Sequence, residues 1–80
     1  MSVNIGLVVQ MLEMALDPKK RFASWEALQR PNGFEEAALF IKSRGLADNV
    51  GFGREKNKIN MVFMTVNDAG KEFINSYRNS

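Results

Sequence analysis

Two clusters of basic side chains are the groups in this sequence best suited to bind a negatively charged partner. One contains Lys19, Lys20 and Arg21, and the other contains Arg54, Lys56 and Lys58, with Asn57 among them. Lysine and arginine side chains grouped in this way can neutralise phosphates, and binding then gains affinity as counterions are released. Exposed loops are also often lysine-rich simply because they are solvated, so each cluster taken alone has both interpretations.

The composition excludes several classes of protein. The net charge of +2 is too mild to indicate nucleic acid by itself. With 45% hydrophobic and 25% charged residues, the 80-residue chain has the balance of one globular domain, 1–80. The lack of cysteine and histidine excludes disulfides, the usual zinc sites and serine–histidine catalysis. The remaining candidate bases show no motif-like spacing, so we expect a protein that is not an enzyme and uses no metal or cofactor.

The most apolar run of the chain, residues 5–16, is a poor candidate for a membrane span. Gln10 and Glu13 interrupt it, and it is shorter than the roughly 20 residues that a bilayer requires. No basic residue precedes it, so it does not fit a signal peptide either. We therefore expect a soluble, cytoplasmic protein.

Apolar residues at three- and four-residue spacing predict four helices, over residues 4–16, 24–30, 32–44 and 67–78. Asn4 and Asn67 are placed to cap the first and the last of them. A capping box is expected at the start of the third helix, where the Asn32 side chain would accept from the amide of Glu35 and the Glu35 carboxylate would reach back.

Residues typical of β-structure predict three extended segments, at 21–23, 46–52 and 59–66. The last two would form a β-hairpin across a polar loop, 53–58. Gly45 is expected to close the third helix as its C-terminal glycine. Gly70 lies inside the last helix at a cost of about 1 kcal/mol relative to alanine, which predicts close packing or a bend there.

Two short stretches resemble a known family. "FIKSRGLADN" is similar to the end of the recognition helix of winged helix-turn-helix domains, where an apolar residue, here Ile41, lies four before a glycine. "VNDAGKEF" is similar to the entry into the last helix of that family, with Asn67 where threonine is commoner. The resemblance is to the DNA-binding domain of small single-domain transcriptional regulators. It implies an α+β winged helix-turn-helix, with a three-helix core, a β-hairpin wing and a C-terminal helix.

The same resemblance implies a surface that binds double-stranded DNA. The third helix would lie in the major groove, with the wing beside it. The contacts would come from the basic cluster before the second helix, the far end of the third helix and the wing tip: Lys19, Lys20, Arg21, Lys42, Ser43, Arg44, Arg54, Lys56, Asn57 and Lys58.

The start of the third helix is unusual for a surface that reads bases. Glu35 and Glu36 lie in its first turn, where carboxylates repel phosphates but interact favourably with the helix dipole. Its buried side is expected to contain Phe34, Ala37, Ala38 and Ile41, flanked by Leu39 or Phe40. We therefore expect backbone and wing contacts to dominate, with modest sequence discrimination.

The first helix is apolar on most of its circumference, so it should be buried on more than one side. Its second side would face either another subunit or the helices at both ends of the chain. For a homodimer, the expected interface contains Leu7, Met11, Met14, Ile74 and Tyr77. The alternative function is a protein-interaction module on the same scaffold that does not bind DNA, since fold does not determine function.

Overall fold

A computed structural model describes residues 3–19, 21–24, 31–55 and 58–79 of the chain. The helices are α1 (Ile5–Ala15), α2 (Phe34–Ser43) and α3 (Asp68–Arg78), and the strands are β1 (Phe22–Ser24), β2 (Ala47–Glu55) and β3 (Lys58–Val66). This part of the chain is an α+β arrangement, as the sequence predicts, and α2 is the predicted third helix. Lys20, Lys56 and Asn57 lie outside the described residues, and so does most of the predicted second helix.

The three strands form one antiparallel sheet in the order β1-β3-β2. Val62 in the central strand is the register partner of Ala23 in β1 and of Phe52 in β2. At the far end of the hairpin Glu55 pairs with Lys58, so the predicted polar loop 53–58 is largely strand. The predicted loop was too long because ladder hydrogen bonds need only the backbone, and antiparallel strands can be joined by a turn of about two residues.

A β-bulge in β2 keeps Ala47 and Phe52 on the same face of the sheet. Between Asp48 and Gly51, β2 has one more residue than β3. Asn49 takes the left-handed conformation there, with φ 54°, which asparagine tolerates better than most residues. Side chains alternate along a strand, so Ala47 and Phe52 would face opposite sides without the extra residue. With it, both lie towards the core.

The core lies between the three helices and one face of the sheet, and α1 is its centre. Six side chains of α1 are buried: Leu7, Val8, Val9, Met11, Leu12 and Ala15. They have neighbours on four elements, since α1 contacts α2, α3, β1 and β3. The second apolar side of α1 was expected to face either another subunit or other parts of the same chain. These contacts show that elements of the same chain cover it.

This burial removes three of the five residues expected at a dimer interface. Leu7, Met11 and Ile74 have exposed fractions of 4%, 0% and 3%, so their side chains are core residues and cannot also contact a second subunit. Met14 is half-buried and Tyr77 is exposed. The sequence pattern could not separate these cases, because an apolar stripe looks the same whether its own chain or a partner covers it.

The start of α2 differs from the predicted capping box. Its N-cap residue is Gly33, with φ 88°, and no side chain caps the helix. The predicted Asn32–Glu35 capping box is therefore wrong. The chain takes the left-handed conformation at Gly33, and the helix begins after this residue instead of after Asn32. Glycine adopts that conformation without a Cβ penalty. Glu35 is therefore not occupied as a capping partner, and both Glu35 and Glu36 lie in the first turn of α2.

The end of α2 and the start of α3 follow the sequence prediction and are fixed against each other. Gly45 has φ 66°, and the amide of Leu46 donates back to the carbonyl of Ile41 at 3.1 Å, a glycine-terminated helix end. The Oδ1 atom of Asn67 accepts from the amide of Gly70 at 3.0 Å, which caps α3. The Nδ2 atom of Asn67 donates to the carbonyl of Gly45 at 2.9 Å, so one side chain joins the two helix ends.

Candidate nucleic-acid interface

Lys42 of α2 and Arg54 of β2 lie on one surface of the protein. The Nζ atom of Lys42 is 5.3 Å from the centre of the Phe52 ring. Phe52 and Arg54 are the register partners of Val62 and Ile59, both buried in the core, and register partners share a face, so both side chains leave the core-side face of β2. Both cationic residues are exposed. The result is a positive strip from the C-terminal part of α2 to the hairpin, defined by Lys42, Phe52 and Arg54.

Phe52 anchors this strip to the hydrophobic core. Its ring is half-buried and packs against the hydrophobic core. A cation over an aromatic face at an exposed site contributes about 0.5–1 kcal/mol, which favours the position of Lys42 over the ring. The sequence analysis did not pair these two residues. No sequence signal could have paired them, because they lie on separate elements whose packing brings them together.

The other residues predicted at the end of α2 do not join the strip. The guanidinium of Arg44 lies 5.2 Å from the centre of the Phe40 ring, and Phe40 in turn packs against Phe73 of α3 at 5.9 Å. Arg44 is therefore on the side of α2 that faces α3. The hydroxyl of Ser43 donates to the carbonyl of Phe40 at 3.2 Å. Both residues are exposed, but only Lys42 is directed towards the hairpin.

The described part of the first basic cluster is held against the sheet by its backbone. The carboxylate of Asp17 accepts from the amide of Lys19 at 2.9 Å, and its carbonyl accepts from the amide of Arg21 at 3.0 Å. The carbonyl of Arg21 accepts from the amide of Met64 at 3.0 Å, which ties this loop to β3. Arg21 has φ 49°. The side chains of Lys19 and Arg21 are exposed.

The two basic clusters lie at different levels of β3. Arg21 is bonded to Met64, whereas Arg54 is the register partner of Ile59, five residues earlier in the strand. Five residues of extended chain correspond to about 17 Å. Arg21 and Arg54 therefore do not converge on one small ligand. A partner that touches both must extend along the sheet.

Lys71 is a further cationic residue near the first cluster that the sequence analysis did not assign to a site. A cavity between the end of α1 and the start of α3 is lined by Leu16, Pro18, Arg21, Thr65 and Lys71, among others. The sequence suggests no such proximity, because Lys71 approaches Arg21 only once α3 has packed against β3.

The exposed face of α2 has an apolar centre. Leu39 is 48% exposed, whereas Ala37, Ala38 and Ile41 are fully buried. Of the two residues expected to flank the buried side, Phe40 is the one that does so, since it is half-buried and Leu39 is exposed. With about 3.6 residues per turn, Leu39 lies opposite the middle of the buried arc. A leucine in the middle of this face offers no hydrogen bond to a base edge or a phosphate.

A second apolar patch lies on the outer face of the sheet, away from the helices. Phe63 is 47% exposed, and its ring centre is 6.2 Å from that of its register partner Phe22. Gly51 is the register partner of Phe63 in β2 and leaves that side of the patch uncovered. Phe22 and Phe63 were not predicted as surface residues.

Two further findings bear on the class of protein. Within residues 3–19, 21–24, 31–55 and 58–79, no helix has the length and apolarity to cross a membrane. Comparison with protein-family models, with curated proteins and with solved structures gives no match in any of the three. The class of protein is therefore defined by fold and surface: a small α+β domain with a three-stranded antiparallel sheet and a positive strip beside its hairpin.

Proposed function

We propose that the protein is a small transcriptional regulator of the winged helix-turn-helix class that binds double-stranded DNA in the cytoplasm. The order α1-β1-α2-β2-β3-α3 and the β1-β3-β2 sheet are compatible with such a domain, with the β2–β3 hairpin as its wing. The observation that carries the proposal is the contact of Lys42 with Phe52, with Arg54 on the same face of β2. It joins the end of the third predicted helix to the hairpin, where a duplex backbone would lie.

In this proposal most of the affinity comes from phosphates. Lys42 and Arg54 neutralise backbone charges, together with the wing-tip residues Lys56, Asn57 and Lys58. Arg21 and Lys19, about 17 Å further along β3, reach other phosphates of an extended duplex. The exposed face of α2 contributes little base recognition, because its first turn is acidic and Leu39 lies at its centre. Discrimination between sequences is therefore modest.

The test is the affinity of the purified protein for a labelled mixed-sequence duplex, measured across a series of salt concentrations. Each neutralised phosphate contributes about −0.9 to the slope of log K against log salt. We expect a slope of several units, and we expect Lys42→Ala to reduce it by about one. No detectable binding at low salt would contradict the proposal. A slope near zero with retained binding would also remove its electrostatic basis.

The alternative function is a protein-interaction module without DNA binding. The pair of Phe63 and Phe22 on the outer face of the sheet favours it, since an apolar patch on a surface marks protein contacts. The two functions differ in the effect of the cationic residues. Replacing Lys42 and Arg54 together should abolish most duplex binding in the first case and leave partner binding through the apolar residues intact in the second.

A further inference from the structure

The charges on the exposed face of α2 are arranged symmetrically about Leu39. Glu35 and Lys42 are about two turns apart and lie on one flank of Leu39. Glu36 and Ser43 are likewise about two turns apart and lie on the other flank. All four side chains are exposed or half-buried. The face thus has an acidic end, an apolar centre and an end with a cation and a hydroxyl.

We propose that two copies of this chain associate through their α2 helices, which pair antiparallel about a two-fold axis at Leu39. A two-fold axis brings the same surface of both copies together, so every contact occurs twice. Leu39 of one copy meets Leu39 of the other. On one flank Glu35 faces Lys42 of the second copy, and on the other Glu36 faces Ser43 of the second copy. A parallel arrangement would instead place acidic residues against each other.

The surroundings of Leu39 fit this occupant. Leu39 itself lines a mainly apolar groove, together with Val3, Glu36, Phe40, Lys42 and Ser43. The leucine of a second copy can insert into such a groove by knobs-into-holes packing. Glu35, Glu36 and Lys42 form no ion pair within the part of the chain that the structure describes. Within those residues their charges are not neutralised by an opposite charge.

The size of the face determines the strength of the association. A stable interface buries about 800 Å² on each partner, and one face of a helix of 10 residues offers less than that. We therefore expect a dissociable dimer with a Kd in the micromolar range. The inference does not rest on DNA binding, and its test contains no DNA. Lys42 belongs both to this face and to the proposed DNA surface, so dimer formation and DNA binding would compete for this side chain.

The first experiment is sedimentation velocity of the full chain from about 1 µM to about 500 µM, a range that brackets a micromolar Kd. We expect a monomer–dimer equilibrium. Leu39→Glu should raise the Kd on the order of a hundredfold, because it places a charge at the centre of the interface twice. Phe63→Glu is the matched control, since Phe63 is 47% exposed and Leu39 48%, and it should leave the Kd unchanged. Circular dichroism confirms that both variants fold.

Charge exchange tests the antiparallel geometry separately. Glu35→Lys places like charges opposite each other twice and should weaken the dimer about tenfold. The double variant Glu35→Lys with Lys42→Glu restores opposite charges and should return the Kd close to that of the unaltered chain. A chain that stays monomeric throughout, a folded Leu39→Glu variant that dimerises normally, or a double variant no better than the single one would each overturn the proposal.

Discussion

Gly70 of α3 lies directly against the main-chain carbonyl of Leu46. A Cβ atom at Gly70 would overlap that oxygen, and it would lie 2.8 Å from Cγ1 of Val66. Of the two predicted reasons for a glycine inside this helix, close packing is therefore the one that applies. The contact sets how near α3 approaches the start of β2, and with it the position of the last helix on the sheet.

Gly70→Ala should destabilise the protein although alanine is the better helix former. The methyl group meets a backbone atom that cannot move without shifting β2, so we expect a loss of about 2 kcal/mol or more in the free energy of unfolding. Urea denaturation measures it. Gly51→Ala is the control, because a Cβ there has nothing within 4 Å, and it should change the stability by less than about 0.5 kcal/mol. Equal effects of the two variants would show that the close approach has no energetic consequence.

Asn67→Ala should cost more stability than Asn4→Ala. Both side chains cap a helix: Asn4 accepts from the amide of Leu7 at 3.1 Å, as Asn67 does from the amide of Gly70. Loss of a cap costs about 1 kcal/mol. Asn67 also donates to the carbonyl of Gly45, and loss of this bond adds about 0.5–1.5 kcal/mol. Matched thermal or urea unfolding of the two variants checks the order, and a larger loss for Asn4→Ala would contradict the tethering role of Asn67.

Met11→Ala should destabilise the monomer itself. Met11 is fully buried, and removing such a side chain costs about 2–5 kcal/mol, whereas the half-buried Met14 should cost less. The loss should not depend on protein concentration, because Met11 contacts its own chain. An interface residue would behave differently, since dimer stability varies with concentration. Unfolding at two concentrations well apart distinguishes the two cases.

Arg54→Ala should reduce the salt dependence of duplex binding, if the proposed function is correct. Loss of one phosphate contact lowers the magnitude of the log–log slope by about 0.9. Arg78→Ala is the charge-matched control. Arg78 pairs with Glu13 between α3 and α1, and it was not predicted to touch DNA. That pair is exposed and contributes little stability, so the control should fold normally. An equal change in slope for both variants would mean that general charge, and not the hairpin, governs binding.

The limits of prediction from sequence are visible at the two ends of α2. Gly45 was predicted as the terminating glycine, and it is, because only a residue without Cβ readily takes its left-handed conformation. At the other end the sequence analysis predicted Asn32 as the cap, whereas the structure has Gly33 in that position. Both can precede a helix, so local preference did not decide it. Leu7, Met11 and Ile74, predicted for a dimer interface, are core residues for a different reason: no local pattern reports whether a covering surface belongs to the same chain.

By itself the sequence determined the α+β class, most helix and strand positions, and the caps at Asn4 and Asn67, because these depend on neighbours within a few residues. Only the tertiary structure decided which side chains share a surface. The packing of α2 on β2 brings Lys42 over Phe52 and turns Leu39 outwards, while β3 separates Arg21 from Arg54. Such relationships depend on the distances and angles between elements, which arise when the core forms and are not encoded in any one segment.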